Sequence, residues 1–222
     1  MTPTRRGPGG ALRIAIVAWG SLLWDQRTLK LSSRWYADGP GLPLEFARVS
    51  ENGRLTLVLH EDSPLQQTYW ATSSFDSLGG ARENLRARER CTTVAPIHVH
   101  TRSGKTHGEV PESVKRRMAA WLSEHTGVDA VVWTGLQPKW PGRTPFGVEA
   151  AIAYLQSLEE PARSRAREYV TKAPPQIQTP VRQRVRQSLG WKDHPLPANT
   201  LEAPDAQASD NLRRGPSDLQ SR

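Results

Sequence analysis

The feature that most limits how this chain can fold is a run near its start, Leu12-Arg13-Ile14-Ala15-Ile16-Val17-Ala18-Trp19, apolar and β-branched almost throughout, which stops at Gly20. Such a run reads as a buried β-strand, and the glycine lets the backbone turn sharply into a loop. The strand therefore presents something at its end. In 222 residues there is room for a core around it, and eight tryptophans spread from Trp19 to Trp191 imply an ordered body along most of the chain.

Leu44–Val49 and Arg54–Glu61 flank Ser50-Glu51-Asn52-Gly53, and Asn-Gly between two strand-like runs predicts a hairpin. Leu55, Leu57 and Leu59 alternate and so share the core face. Gln67–Ser73 reads as a further strand. Asp76 or Ser77 caps a helix running to about Arg90, followed by a strand over Thr93–Thr101. A helix from Pro111 to His125 comes next, with Gly127 at its end, then a strand over Asp129–Leu136. Helices are expected over Phe146–Leu158, Ala162–Lys172 and Thr179–Leu189. Strands first and helices later predict an α+β fold.

This order divides the chain into a flexible leader over 1–11, a main domain over 12–136, a helical extension over 137–192 and a disordered tail over 193–222. The single cysteine, Cys91, cannot form an internal disulfide and points to a reducing, cytoplasmic setting. No apolar run has the length of a membrane span. The net charge of +8 is concentrated between Arg163 and Lys192, where eight basic residues stand against Glu168. Arg182, Arg184 and Arg186 spread around a helix rather than lining one groove, so a solvated face is expected and nucleic acid is not the favoured partner.

On the helix ending near Arg90, a 100° advance per residue puts Ala81 and Leu85 within about 60° of Leu78 and Glu89 at about 20°. Glu89 thus lies on the inward stripe, whereas Glu83 falls about 140° away, where a carboxylate is solvated. An inward carboxylate is either a general acid/base or half of an ion pair with a neighbour such as Arg82, Arg86 or Arg90. In Ala18-Trp19-Gly20-Ser21-Leu22-Leu23-Trp24 a strand breaks at glycine, freeing backbone N–H groups to hold an anion or a carbonyl oxygen.

Trp19-Gly20-Ser21-Leu22 resembles the Tyr-Gly-Ser-Leu loop of γ-glutamylcyclotransferases, particularly the glutathione-degrading ChaC-like branch. Leu85-Arg86-Ala87-Arg88-Glu89 is similar to the segment in which that family places its catalytic glutamate. The resemblance covers roughly Ile14–Thr101, and Trp19 departs from it by lacking the phenolic hydroxyl. It implies a mixed β-barrel/sheet with flanking helices, and cyclisation of a small-molecule γ-glutamyl amide or peptide to 5-oxoproline. Glu89 would be the acid/base and Val17, Ala18, Trp19, Gly20, Ser21 and Leu22 the substrate cradle, with no metal and no cofactor.

Three other readings compete. His98, His100 and His107 could form a metal site, but Ile97 and Val99 take the inward face and should leave the histidines toward solvent. The basic helices could serve an acidic partner such as nucleic acid. The fold could also be a repurposed, non-catalytic binding module.

Overall fold

The computed structural model describes residues 11–141, 145–196 and 200, so residues 1–10 of the expected leader and most of the expected tail lie outside the described residues. Strand β1 (Ile14–Ala18) sits within a five-stranded sheet beside β5 (Tyr69–Thr72), β6 (Ile97–Thr101), β7 (Thr106–His107) and β8 (Ala130–Thr134), in the order β5-β1-β8-β6-β7. It runs parallel to β8 and antiparallel to β5. Ile14, Ile16 and Ala18 join one apolar cluster, while Ala15, Val17 and Trp19 join another. A strand covered on both faces needs apolar residues at every position, which accounts for the unbroken run in the sequence.

A second sheet has the order β3-β2-β4, from β2 (Gly41–Val49), β3 (Leu55–Leu59) and β4 (Leu65–Gln67). Its hairpin turns at Ser50–Gly53 as expected, with Gly53 at φ +80° and the Ser50 amide donating to the Arg54 carbonyl. Leu55 and Leu57 are buried and Leu59 packs against the same cluster. The strand expected over Gln67–Ser73 is divided: β4 belongs to one sheet and β5 to the other. Between them Thr68 is buried and donates its hydroxyl to the Pro40 carbonyl at 2.6 Å, which fixes the crossing point.

Helix α1 (Leu78–Glu89) covers one face of the larger sheet through Ala81 and Leu85, with Ser77 as its cap. Helix α2 (Glu112–Glu124) covers the opposite face with Val114, Met118, Trp121 and Leu122. Helices α3 (Val148–Ser157), α4 (Ala162–Lys172) and α5 (Pro180–Leu189) add Ile152, Leu155, Tyr169, Val170, Val181 and Val185 to the cluster that holds Leu42, Phe46 and Leu55 of the small sheet. The segment after residue 137 thus shares its core with the segment before it. Thr179 caps α5 by accepting from the Arg182 amide, a contact worth about 1 kcal/mol.

The fold is mixed α+β, and the described residues form two sheets without a closed barrel. No helix among them is long and apolar enough to cross a membrane. Two expectations need correction. His98 and His100 are 4% and 5% exposed rather than solvated, because the face opposite Ile97 and Val99 is covered by α2. Arg182 is fully buried rather than on the surface, where it donates to the carbonyls of Ala173, Pro174 and Ile177 and pairs with Asp193. Arg186 also pairs with Asp193, so the first residue of the expected tail is held to the body.

Candidate functional site

β1 and β8 run parallel, so their C-terminal ends lie side by side, and such strand ends are where open sheets accept ligands. After β1 the chain passes through Gly20 into a single 3-10 turn, Ser21–Leu23, with no side-chain cap. A cavity of about 560 Å³ opens at these strand ends, within the range of about 300–1,000 Å³ usual for small-molecule pockets. Val17, Ala18, Trp19, Gly20, Ser21 and Leu22 line it, and so does Glu89. The hairpin turn Ser50-Glu51-Asn52, Thr134 at the end of β8 and Tyr169 of α4 complete much of the wall. Two cavities of about 620 Å³ beside α4 take in neither the loop nor the glutamate.

Glu89 closes α1, and its side chain is 17% exposed. Its Oε1 accepts from Arg88 Nη1 at 2.8 Å and from the Thr134 hydroxyl at 3.4 Å. Among the described residues no group hydrogen-bonds to Oε2. The ion pair expected of an inward glutamate is therefore present, but its partner is Arg88. Arg82 instead donates to the Val94 and Ile97 carbonyls, and Arg86 pairs with the solvated Glu83.

Arg88 is 3% exposed, and its guanidinium also donates to Ser21 Oγ at 3.2 Å and to the Asp25 carbonyl. One buried cation thus ties the carboxylate to the glycine loop. Sequence reasoning missed it, although the 100° advance puts Arg88 about 20° from Ala81 on the buried face.

Tyr169 is the second residue missed. It is buried beneath Gly20, edge-on to Trp24 and Phe46, with the Arg54 guanidinium 5.7 Å above its ring. A Cβ built on Gly20 would lie 2.6 Å from the Tyr169 hydroxyl, so the glycine is required by this close approach. Burial pushes the phenol up to about 12, and the charge of Glu89 adds to the shift, so the hydroxyl is a neutral donor at physiological pH. Trp19 Nε1 donates to the Leu57 carbonyl at 3.3 Å. The cavity thus contains a phenol, supplied by α4 rather than by the loop.

Backbone geometry singles out the same place. Arg27 and Arg90 are the two non-glycine residues with positive φ among the described residues, at 49° and 57°, and both line this cavity. Such conformations cost about 1–3 kcal/mol each and concentrate at functional sites.

The histidines do not come together as a metal site. His100 Nδ1 is hydrogen-bonded to Thr106 Oγ1 at 2.8 Å, and His98 packs edge-on to Trp133. No group of three metal-ligating side chains occurs among the described residues. Of the eight basic residues between Arg163 and Lys192, Arg182 and Arg186 pair with Asp193, and Arg184 and Lys172 form exposed pairs with Glu149 and Glu168. Searches against protein-family models, curated proteins and solved structures gave no match to this chain.

Proposed function

We propose that the chain is a γ-glutamylcyclotransferase-like enzyme that converts a γ-glutamyl amide or peptide to 5-oxoproline and releases the amine. The observation that supports this reading is that Glu89 and the Gly20–Leu22 backbone, distant in sequence, line one cavity with an Arg88 bridge between them. The α+β body with its helical extension would then be a variant of the cyclotransferase fold.

In the reaction the substrate α-amine attacks its own γ-carbonyl carbon. The new C–N bond closes a five-membered ring, the old amide C–N bond breaks, and the two protons lost by the attacking nitrogen, which starts as an ammonium, end on the departing one. Ring closure within one molecule gains from proximity, so the protein must fold the substrate, relay protons between the two nitrogens and stabilise the oxyanion. Glu89 Oε2 takes one proton from the ammonium to free the attacking amine and passes it to the leaving nitrogen, then carries the second proton shed by the ring nitrogen the same way, so that the amine departs as an ammonium. Arg88 and Thr134 hold Oε1 and so aim the other oxygen. Backbone amides of Gly20–Leu22 and the Tyr169 hydroxyl are the donors available to the carbonyl oxygen. None of these steps needs a cofactor.

A non-catalytic binding module remains the second reading, favoured by position 19 carrying an indole, its N–H taken up by the Leu57 carbonyl, in place of a phenolic hydroxyl. Release of 5-oxoproline from a panel of γ-glutamyl amino acids, peptides and amines separates the two. Glu89→Gln should lower turnover by about 10²-fold or more. No turnover of any panel member, or full turnover in Glu89→Gln, rejects the enzyme.

A further inference from the structure

The cavity that holds Glu89 is lined by five arginines, Arg27, Arg48, Arg54, Arg88 and Arg90, against two glutamates, Glu51 and Glu89. Two of the arginines are already matched: Arg88 by Glu89 and Arg27 by Asp25. Among the described residues the other three have no carboxylate partner. Arg48 donates to the Gln137 carbonyl at 2.8 Å, and Arg54 donates to Asn52 Oδ1 at 3.1 Å while lying over the Tyr169 ring. Both flank the hairpin turn, Arg48 near the end of β2 and Arg54 just before β3, so the hairpin holds two guanidinium groups at the cavity wall.

A γ-glutamyl unit brings one ammonium and one carboxylate, which cancel. If the departing group were a neutral amine, the substrate would bring no net charge to a wall that keeps a formal excess of two positive charges once Asp25 is counted against Arg27. Low-dielectric walls of one sign concentrate ligands of the opposite sign, and arginine's planar fork suits a carboxylate. We infer that Arg48 and Arg54 are specificity-determining residues that receive a carboxylate on the departing group, so that the substrates are γ-glutamyl amino acids or peptides rather than γ-glutamyl amines. This rests on the cyclotransferase reading for the identity of the bond that breaks. The excess positive wall does not depend on it.

The test compares γ-glutamyl-alanine with γ-glutamyl-alaninamide, which differ only in the terminal carboxylate. Release of 5-oxoproline by wild type and by Arg48→Gln/Arg54→Gln is followed with each probe and expressed as kcat/KM. Affinity for both probes is measured by calorimetry in the Glu89→Gln background, where the probe is not consumed. Wild type should favour the carboxylate probe about tenfold or more, the scale of one charge-assisted hydrogen bond, and the double variant should bring the ratio to about one. Comparing both probes within one protein removes any effect of a poorly folded fraction. A ratio near one in wild type, or one that survives the double substitution, overturns the inference. If neither probe nor any other member of the γ-glutamyl panel is turned over, the cyclotransferase reading fails. The calorimetric ratio then decides the arginine inference by the same criteria, and absence of binding to either probe counts against it.

Discussion

Gly20→Ala should be costly for a reason that a second substitution can remove. Gly20 has a φ of −140°, outside the left-handed region that demands glycine, so the constraint is the neighbour rather than the backbone. An added Cβ meets the Tyr169 hydroxyl at 2.6 Å, whereas the next ring atom, Cζ, is at an ordinary 3.6 Å. Tyr169 cannot easily retreat, because it is buried between Trp24 and Phe46 and hydrogen-bonded with the Leu57 backbone. Overpacking of this kind costs about 1–3 kcal/mol. Tyr169→Phe alone loses the hydroxyl's hydrogen bond, about 1–2 kcal/mol. In the Tyr169→Phe background the methyl group has room, so Gly20→Ala should cost less than about 0.5 kcal/mol, an interaction energy typical of residues in direct contact. Urea unfolding of the four proteins measures the cycle. Equal cost of Gly20→Ala in both backgrounds would show that the hydroxyl is not what holds position 20 to glycine, and the packing of α4 under the loop would have to be reconsidered.

Two further outcomes are expected. Arg88→Met removes the cation that joins Glu89, Ser21 and the Asp25 carbonyl, and should destabilise the fold by about 2–4 kcal/mol, less than a fully buried pair because Glu89 borders the cavity. Unfolding within about 0.5 kcal/mol of wild type would refute the bridging role. Burial holds His98 and His100 below their usual 6.5, with Arg82 adding to the effect at the first and Lys115 at the second, against Glu109 and Glu112. Their folded rings favour the neutral form, so the unfolded chain takes up protons first. Their contribution to stability is complete above pH 6.5 and declines as the pH falls through that value toward the folded ones. Melting temperature against pH, with NMR titration of the ring protons, checks this, and midpoints at or above 6.5 would contradict it.

What the sequence made legible follows a physical division. The unbroken apolar run of β1, the Asn-Gly hairpin and the cap and stop signals of α5 are set by neighbours along the chain, and each formed where expected. The period-two rule likewise put His98 and His100 on one face of β6, opposite Ile97 and Val99. It could not say that the histidine face would also be covered, because that depends on α2 arriving from elsewhere in the sequence. Arg182 poses the same problem on a helix: its spacing allowed a surface position, and only the carbonyls of Ala173, Pro174 and Ile177 gathered around it make burial tolerable.

The candidate site divides along the same line. Glu89 could be picked out because an inward carboxylate breaks a local pattern, and Gly20 because a glycine interrupts a strand. Arg88 lay on the buried face by the same wheel, yet an arginine next to a glutamate on a charged helix reads as solvated until Ser21 and Asp25 close over it. Tyr169 left no local signal at all, since its role follows from α4 passing beneath a loop far earlier in the chain. The reason for the glycine in the loop was therefore written in another helix. Gly20 looked like a residue chosen for flexibility, but at a negative φ its small size is what matters, leaving space for the Tyr169 hydroxyl.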